Sequence, residues 1–228
     1  MIMGIKQRRQ DIAAIRRRDI MAGAWALMES RGILAVTMDD IARQAEYTKQ
    51  TLYSYFSSKD ELLIAIHLHR FHKRWEEHRR LMDAEKSGLG KIRAFGEAYY
   101  RYFTRHPADL QLMVYIDFRG LYFTDTYQKL YKQEREFYDG TEQYMQQSLR
   151  QAQEEGALRR DLDLWWALSY IYLSLRATLN EAMMSKKLNA AKLRYVYFKY
   201  LDILLQGLAP SSKQKLKERG GPAEKSNS

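Results

Sequence analysis

Residues 48–63 read TKQTLYSYFSSKDELL, and their side chains suggest recognition by hydrogen bonding. With Leu52 at the origin of a helical wheel, Phe56 falls at about 40° and Tyr55 at about 300°. Tyr53, Gln50, Ser54 and Thr51 fall at about 100°, 160°, 200° and 260°. One side is therefore apolar and aromatic. The other is uncharged and dense in donors and acceptors, with Lys49 at its start. A glutamine can pair with adenine N6 and N7, while hydroxyls and a lysine ammonium suit phosphate oxygens. Bond-making chemistry has no comparable candidate. The chain contains no cysteine and no GxxxxGK loop, "GLG" at 88–90 lacks a following Ser or Thr at the needed spacing, and no Ser-His-Asp order stands out. It is not expected to be an enzyme.

The formal net charge of +10 and pI near 9.6 call for an anionic partner. Within the first 18 residues Lys6, Arg8, Arg9, Arg16, Arg17 and Arg18 face only Asp11. Such a segment is either a solubilising tail or a contact for nucleic acid. No apolar run of 18 residues occurs and no signal-peptide pattern opens the chain, so a cytoplasmic protein without a membrane partner is expected.

Three prolines and 12 glycines in 228 residues favour long helices and an all-α fold. Ile20, Ala24, Leu27 and Met28 share a face of a first helix that Gly32 ends. Thr37 and Asp40 are spaced as a capping box for a short second helix with Met38, Ile41, Ala42 and Ala45 on one stripe. Thr48 caps a third helix. Ser58 and Glu61 form a capping box for a fourth, starting near Lys59 and breaking at 86–91. Further helices are expected over 91–105, 108–120, 124–155, 162–185 and 189–208. Three short helices with a tight turn between the second and third make a helix-turn-helix, whose last helix enters the major groove of DNA. The aromatic crowding follows: so short a helix cannot hold its own geometry and must be anchored by packing.

At these residues the chain resembles the TetR family of transcriptional regulators. The likeness covers roughly residues 15–65 and rests on "DDIA", "TLYSYF" and "SKDELL" at matching spacing. It implies a basic N-terminal arm (1–14), a three-helix helix-turn-helix DNA-binding domain (15–60), and a larger helical effector-binding and dimerisation domain (61–208). A disordered tail (209–228) is expected from its lack of apolar residues. The resemblance also implies a ligand-responsive homodimeric repressor on an inverted-repeat, double-stranded DNA operator. Thr37 matches a phosphate contact. Thr48, Lys49, Gln50 and Thr51 match positions that meet bases and phosphates, Tyr53 and Tyr55 positions that touch backbone or thymine methyls, and Lys59 a phosphate contact. Ser54 lies on the same polar face. Gln50 is the preferred base reader, and Lys49 is placed on phosphate ahead of guanine. Two positions depart from the family. Glu46 stands where the turn usually has Gly, so either the turn is reshaped or it tolerates a left-handed strain of about 1 kcal/mol. Tyr47 replaces a small aliphatic residue.

The resemblance implies a dimer surface and an effector pocket in the second domain. Leu164, Leu168, Ile171, Leu175, Leu179 and Ala182 form one stripe; Leu193, Tyr197, Tyr200, Leu201, Leu204 and Leu208 form another. Together they suit an intersubunit four-helix bundle or an intramolecular core. Tyr99, Tyr102, Phe103, Tyr115, Phe118, Tyr122 and Tyr172 are candidates to line a pocket for a small apolar or aromatic effector, although aromatics at helical spacing are more often core. Arg176 on an otherwise apolar helix needs an anion: a protein partner such as Glu181 or Asp117, or a group on the effector. His67, His69, His72 and His78 lack a completing carboxylate in sequence, and neither metal nor cofactor is expected. The alternative function is a helical interaction module that has lost operator binding, for which Glu46 is the single hint.

Overall fold

The computed structural model describes residues 4–185 and 188–210, so most of the expected tail lies outside the described residues. The described residues are all-α. In chain order the helices are α1 (Ile5–Arg31), α2 (Met38–Gln44), α3 (Lys49–Tyr55), α4 (Lys59–Asp83), α5 (Gly88–Arg105) and α6 (Pro107–Phe118). After a 3-10 turn (Leu121–Phe123) come α7 (Asp125–Gln133), α8 (Arg135–Glu154), α9 (Leu164–Met184) and α10 (Ala190–Leu208).

Two elements differ from expectation. The basic segment 1–14, expected as an arm, is helical from Ile5 onward and continuous with the first helix of the DNA-binding motif. No proline interrupts it, and a Gln7–Asp11 hydrogen bond of 3.0 Å supports its first turns. The single helix expected over 124–155 is two helices, broken at Glu134 with φ −123° and ψ 20°. Glu134 carries its carboxylate to His72 of α4, a tertiary contact that no local residue pattern announces.

The chain forms two compact units, one from residues 1–74 and 103–135, the other from 75–102 and 136–228. Helix α4 runs unbroken from Lys59 to Asp83 and contributes to both units. In the first unit α6 is tied to the start of α4. Asp60 accepts hydrogen bonds from the Tyr115 hydroxyl at 3.5 Å and from Arg119 at 3.3 Å. Arg70 of α4 pairs with the buried Asp109 of α6 and lies 4.2 Å over the Trp25 ring of α1. Pairing and hydrogen bonding of this kind let a carboxylate sit in the interior.

In the second unit α9 packs on α10. Leu168, Ile171, Leu175, Leu179 and Ala182 of α9 are buried, as are Tyr197, Leu201, Leu204 and Leu208 of α10. The two stripes that suited either an intersubunit bundle or an intramolecular core are thus largely core. The Tyr197 hydroxyl donates to the Gly96 carbonyl at 2.8 Å and Arg93 pairs with Asp202 at 2.8 Å, joining α5 to α10. Gly88 opens α5 against the backbone of α8. A Cβ there would lie 2.2 Å from Ala152 N and 2.5 Å from Ser148 O. Gly88→Ala is expected to destabilise the protein by about 1–3 kcal/mol in urea unfolding, since two backbone segments must separate. Gly90→Ala, whose Cβ would meet only side-chain atoms of Ser87 and Glu85, is expected to be the milder change.

Candidate nucleic-acid interface

Local hydrogen bonds define each end of the two motif helices. Thr37 caps α2: its side chain accepts from the Asp40 amide at 3.2 Å, and the Asp40 carboxylate accepts from the Thr37 amide at 3.0 Å and hydroxyl at 2.6 Å. The Thr37 hydrogen bonds hold the Asp40 carboxyl below its usual range. At the other end, the Tyr47 amide reaches the Ala42 carbonyl at 2.9 Å and the Glu46 amide reaches the Arg43 carbonyl at 3.3 Å. This is the paired bonding of a Schellman cap, which places one residue in the left-handed region. That residue is Glu46, with φ 57°, the only described non-glycine residue with positive φ. Of the two expectations for the turn, the chain keeps the geometry and tolerates the strain. Tyr47 leaves the turn half-buried, with its ring 6.5 Å from that of Tyr55.

Helix α3 follows at once. The Thr48 side chain accepts from the Thr51 amide at 3.1 Å and lies 2.8 Å from the Thr51 hydroxyl; Ser54 donates to the Thr51 carbonyl at 2.7 Å. These three hydroxyls are thus engaged within the helix. Gln50 and Tyr53 stand exposed on its outer face, Tyr53 at 42%. Leu52 and Phe56 are fully buried on the inner face.

Arg17 of α1 locks this arrangement. Its guanidinium lies 3.9 Å over the Phe56 ring, donates to the Tyr55 carbonyl at 2.5 Å and approaches Glu61 at 3.5 Å. Sequence reasoning counted Arg17 only among the basic residues of the segment. A signal was present: Arg17 continues the apolar stripe of Ile20, Met21 and Ala24 at i, i+3, i+4 and i+7. The Ser58–Glu61 capping box forms by half. The Ser58 hydroxyl accepts from the Glu61 amide at 3.1 Å, but the Glu61 carboxylate takes the amide and hydroxyl of Ser57.

Both expected lysine contacts are engaged inside the chain. The Lys49 ammonium lies 2.8 Å from Asp39 of α2, whose hydrogen bond and charge raise its pKa. Lys59 donates to the Ile33 carbonyl at 2.7 Å, and burial lowers its pKa. The neighbouring Tyr55 raises the pKa of Arg16.

The expected effector residues divide between the two units. In the first, Phe103 is buried near the Arg74 guanidinium at 5.2 Å, Tyr115 is bonded to Asp60, and Tyr122 meets the Tyr127 ring at 4.9 Å and His67 at 6.0 Å. Phe118 is 88% exposed and belongs to no buried cluster. In the second, Tyr99 and Tyr102 are buried around His78, and Tyr172 meets Phe95 edge-on at 5.1 Å. Arg176 is half-buried on α9. Among the described residues no three His, Asp or Glu side chains are placed to hold a metal ion, and no helix is long and apolar enough to cross a membrane.

A capped helix pair with its exposed polar face held on a buried aromatic base is the helix-turn-helix of a DNA-binding transcriptional regulator. The chain matches the model of the bacterial regulatory proteins, tetR family, over residues 20–66. It is 27% identical to the HTH-type transcriptional repressor KstR2 of Mycobacterium tuberculosis over 154 residues, 65% of this chain and 72% of the relative. A solved structure of that ketosteroid transcriptional regulator superposes with a TM-score of 0.59 at 21% identity, over 86% of this chain and 96% of the other. Thermus thermophilus FadR, a TetR family repressor in complex with lauroyl-CoA, superposes with a TM-score of 0.62 at 19% identity, over 91% and 98%. At these identities the two structures speak for the fold. A stretch of 51 residues is 41% identical to the HTH-type transcriptional regulator BetI of Rhizobium meliloti, 22% of this chain and 25% of the relative.

Because Glu46 holds φ 57°, Glu46→Gly is expected to stabilise the protein by about 0.5–1 kcal/mol, read as a raised denaturation midpoint. Glu46→Val should lower it by at least as much, since a branched Cβ fits that conformation worse.

Proposed function

We propose that this chain is a homodimeric repressor whose two α3 helices read an inverted-repeat operator in the major groove, and that a small apolar or aromatic effector releases it. The observation that carries the proposal is the outer face of α3, where Gln50 and Tyr53 project from a helix anchored by Leu52, Phe56 and Arg17. Gln50 is assigned to adenine and Tyr53 to the backbone or a thymine methyl. Lys49, Thr48, Thr51, Ser54 and Tyr55 flank them. Lys49 would exchange Asp39 for a phosphate, and Thr37 and Lys59 would act only on leaving their present partners. The proposed setting is the cytoplasm, where an operator is accessible.

Dimerisation is assigned to the outer face of α9 and α10. Trp166, Tyr170 and Leu173 are 67%, 55% and 54% exposed at i, i+4 and i+7, and Ile203 of α10 is 65% exposed. Large apolar side chains grouped on one exposed helix face, as on α9, suit an interaction site. The effector reading is supported by the buried aromatics around His78 and by what related proteins handle: KstR2 is described as a ketosteroid regulator and Thermus FadR was solved with lauroyl-CoA. A second reading, an interaction module without operator binding, draws on Glu46, whose carboxylate sits in the turn beside α3.

Selection of bound duplexes from a random pool at near-physiological salt is expected to return an inverted repeat; nothing above background would sink the operator reading. Weak salt dependence of DNA binding would favour the interaction module. Gln50→Ala should relax preference at one base pair in each half-site by about 1–3 kcal/mol of discrimination. Uniform weakening across all sequences would count against Gln50 as a reader. For the dimer, Leu173→Glu is expected to convert the protein to its 27.1 kDa monomer in light scattering while retaining helicity. An unchanged mass would place the interface elsewhere.

A further inference from the structure

The overhanging N-terminal part of α1 has a defined orientation. Ile20, Ala24 and Leu27 are buried on the face that packs into the helix-turn-helix. Continued toward the N-terminus at the same i, i+3 or i+4 spacing, that face carries Arg16, Ala13 and Arg9. Helix α1 is unbroken from Ile5 to Arg31, so the direction of this stripe is fixed by the packed half. Arg17 already lies at the last carbonyl of α3, so the residues before it project past the end of the recognition helix. Arg9 and Arg16 are both exposed and stand two turns apart, about 10 Å along the axis. Asp11, the one acid in this segment, is about 200° around the helix from Arg9 and is engaged by Gln7. The face presented beside α3 is therefore purely cationic.

We propose that Arg9 and Arg16 form a second DNA contact, a guanidinium pair that holds the sugar-phosphate backbone of the duplex flanking the half-site read by α3. The proposal rests on the operator-binding reading above. The pair fixes register and lengthens the footprint without reading sequence, as backbone contacts do. A rigid helix loses less freedom on binding than a floppy arm, which favours this contact over loose electrostatic attraction.

The test uses the full chain and the operator obtained by selection, as one duplex trimmed to the repeat and another with several added flanking base pairs. Fluorescence anisotropy gives affinity and its salt dependence for the native protein, for an Arg9→Gln/Arg16→Gln double variant, and for Arg18→Gln. Arg18 lies on the opposite side of α1 from Arg9 and serves as a charge control. On the long duplex the double variant is expected to bind about tenfold or more weakly, with a log–log salt slope shallower by about 0.9 for each lost phosphate contact. On the trimmed duplex the native protein and double variant should converge, and base preference should be the same for both. Equal affinity and slope on both duplexes would overturn the clamp and leave the operator reading standing. So would a loss of the same size per charge in Arg18→Gln, or an altered base preference in the double variant. Absence of specific binding by the native protein on either duplex would overturn the operator reading and the clamp together. Glutamine is a good helix former, so circular dichroism should be identical for all three proteins.

Discussion

A helix of seven residues cannot maintain its own geometry in water, and the proposed reading face of this protein is carried on one. The surrounding structure answers that constraint. Leu52 and Phe56 are withdrawn completely from solvent, the Thr48 side chain closes the first turn, and Arg17 closes the last by capturing the Tyr55 carbonyl. The turn before the helix is equally fixed, with two backbone bonds from Glu46 and Tyr47 back to α2. Left-handed strain at Glu46, about 1 kcal/mol, is small beside the burial of Leu52 and Phe56 that the turn leads into. Side chains on the outer face are thereby presented on a rigid support, which lowers the entropy lost on binding.

The same economy governs the charged groups. Lys49 is paired with Asp39, Lys59 with the Ile33 carbonyl, and Thr37 with Asp40. These partners are not equivalent. The Lys49–Asp39 pair is solvent-exposed and therefore weak, so exchange for a phosphate is easy. The Lys59 ammonium is partly desolvated and bonded to a backbone carbonyl that would be left without it, so its release is harder. Gln50 and Tyr53 give up no comparable hydrogen bond. Under the proposed operator reading, Gln50 and Tyr53 are therefore the side chains that meet DNA at least cost, with Lys49 as the readily recruited charge.

How much of this was legible in the sequence depended on whether the determinant was local. The caps of α2 and α3 and the polar and apolar faces of α3 follow from neighbouring residues, and the positions of the Gly-substituting Glu46 and of Tyr47 could be named in advance. The break at Glu134 could not, because it is accompanied by no glycine or proline and its partner, His72, is far away in sequence. Nor could the outward face of α9. That helix has Leu168, Ile171 and Leu175 on one side and Trp166, Tyr170 and Leu173 on the other, all apolar or aromatic, so periodicity alone does not say which side faces α10. The exposure of Phe118 was hidden for a related reason: aromatic identity reports a preference for burial, while its place at the end of α6 left it in solvent. For the effector candidates, the structure separates Tyr99, Tyr102 and Tyr172 from Phe103, Tyr115 and Tyr122 into different units, a grouping set by the long-range course of α4 and α5.

The small number of direct readers bears on why the apolar face of α9 and α10 matters. Each well-placed base contact contributes about 1–3 kcal/mol of discrimination, so Gln50 and a single supporting contact fall short of a specific site on their own. Two copies held together double the reading and make the second half-site contact effectively intramolecular. The exposed Trp166, Tyr170, Leu173 and Ile203 offer the cover such a pairing needs, since the inward stripes of the same helices are already consumed by the core. Under the proposed dimer, specificity then resides in the distance between the two α3 helices as much as in Gln50. A ligand preferring the conformer with the wrong spacing would release the operator without touching a DNA-contacting residue, by no more than its difference in affinity for the two conformers.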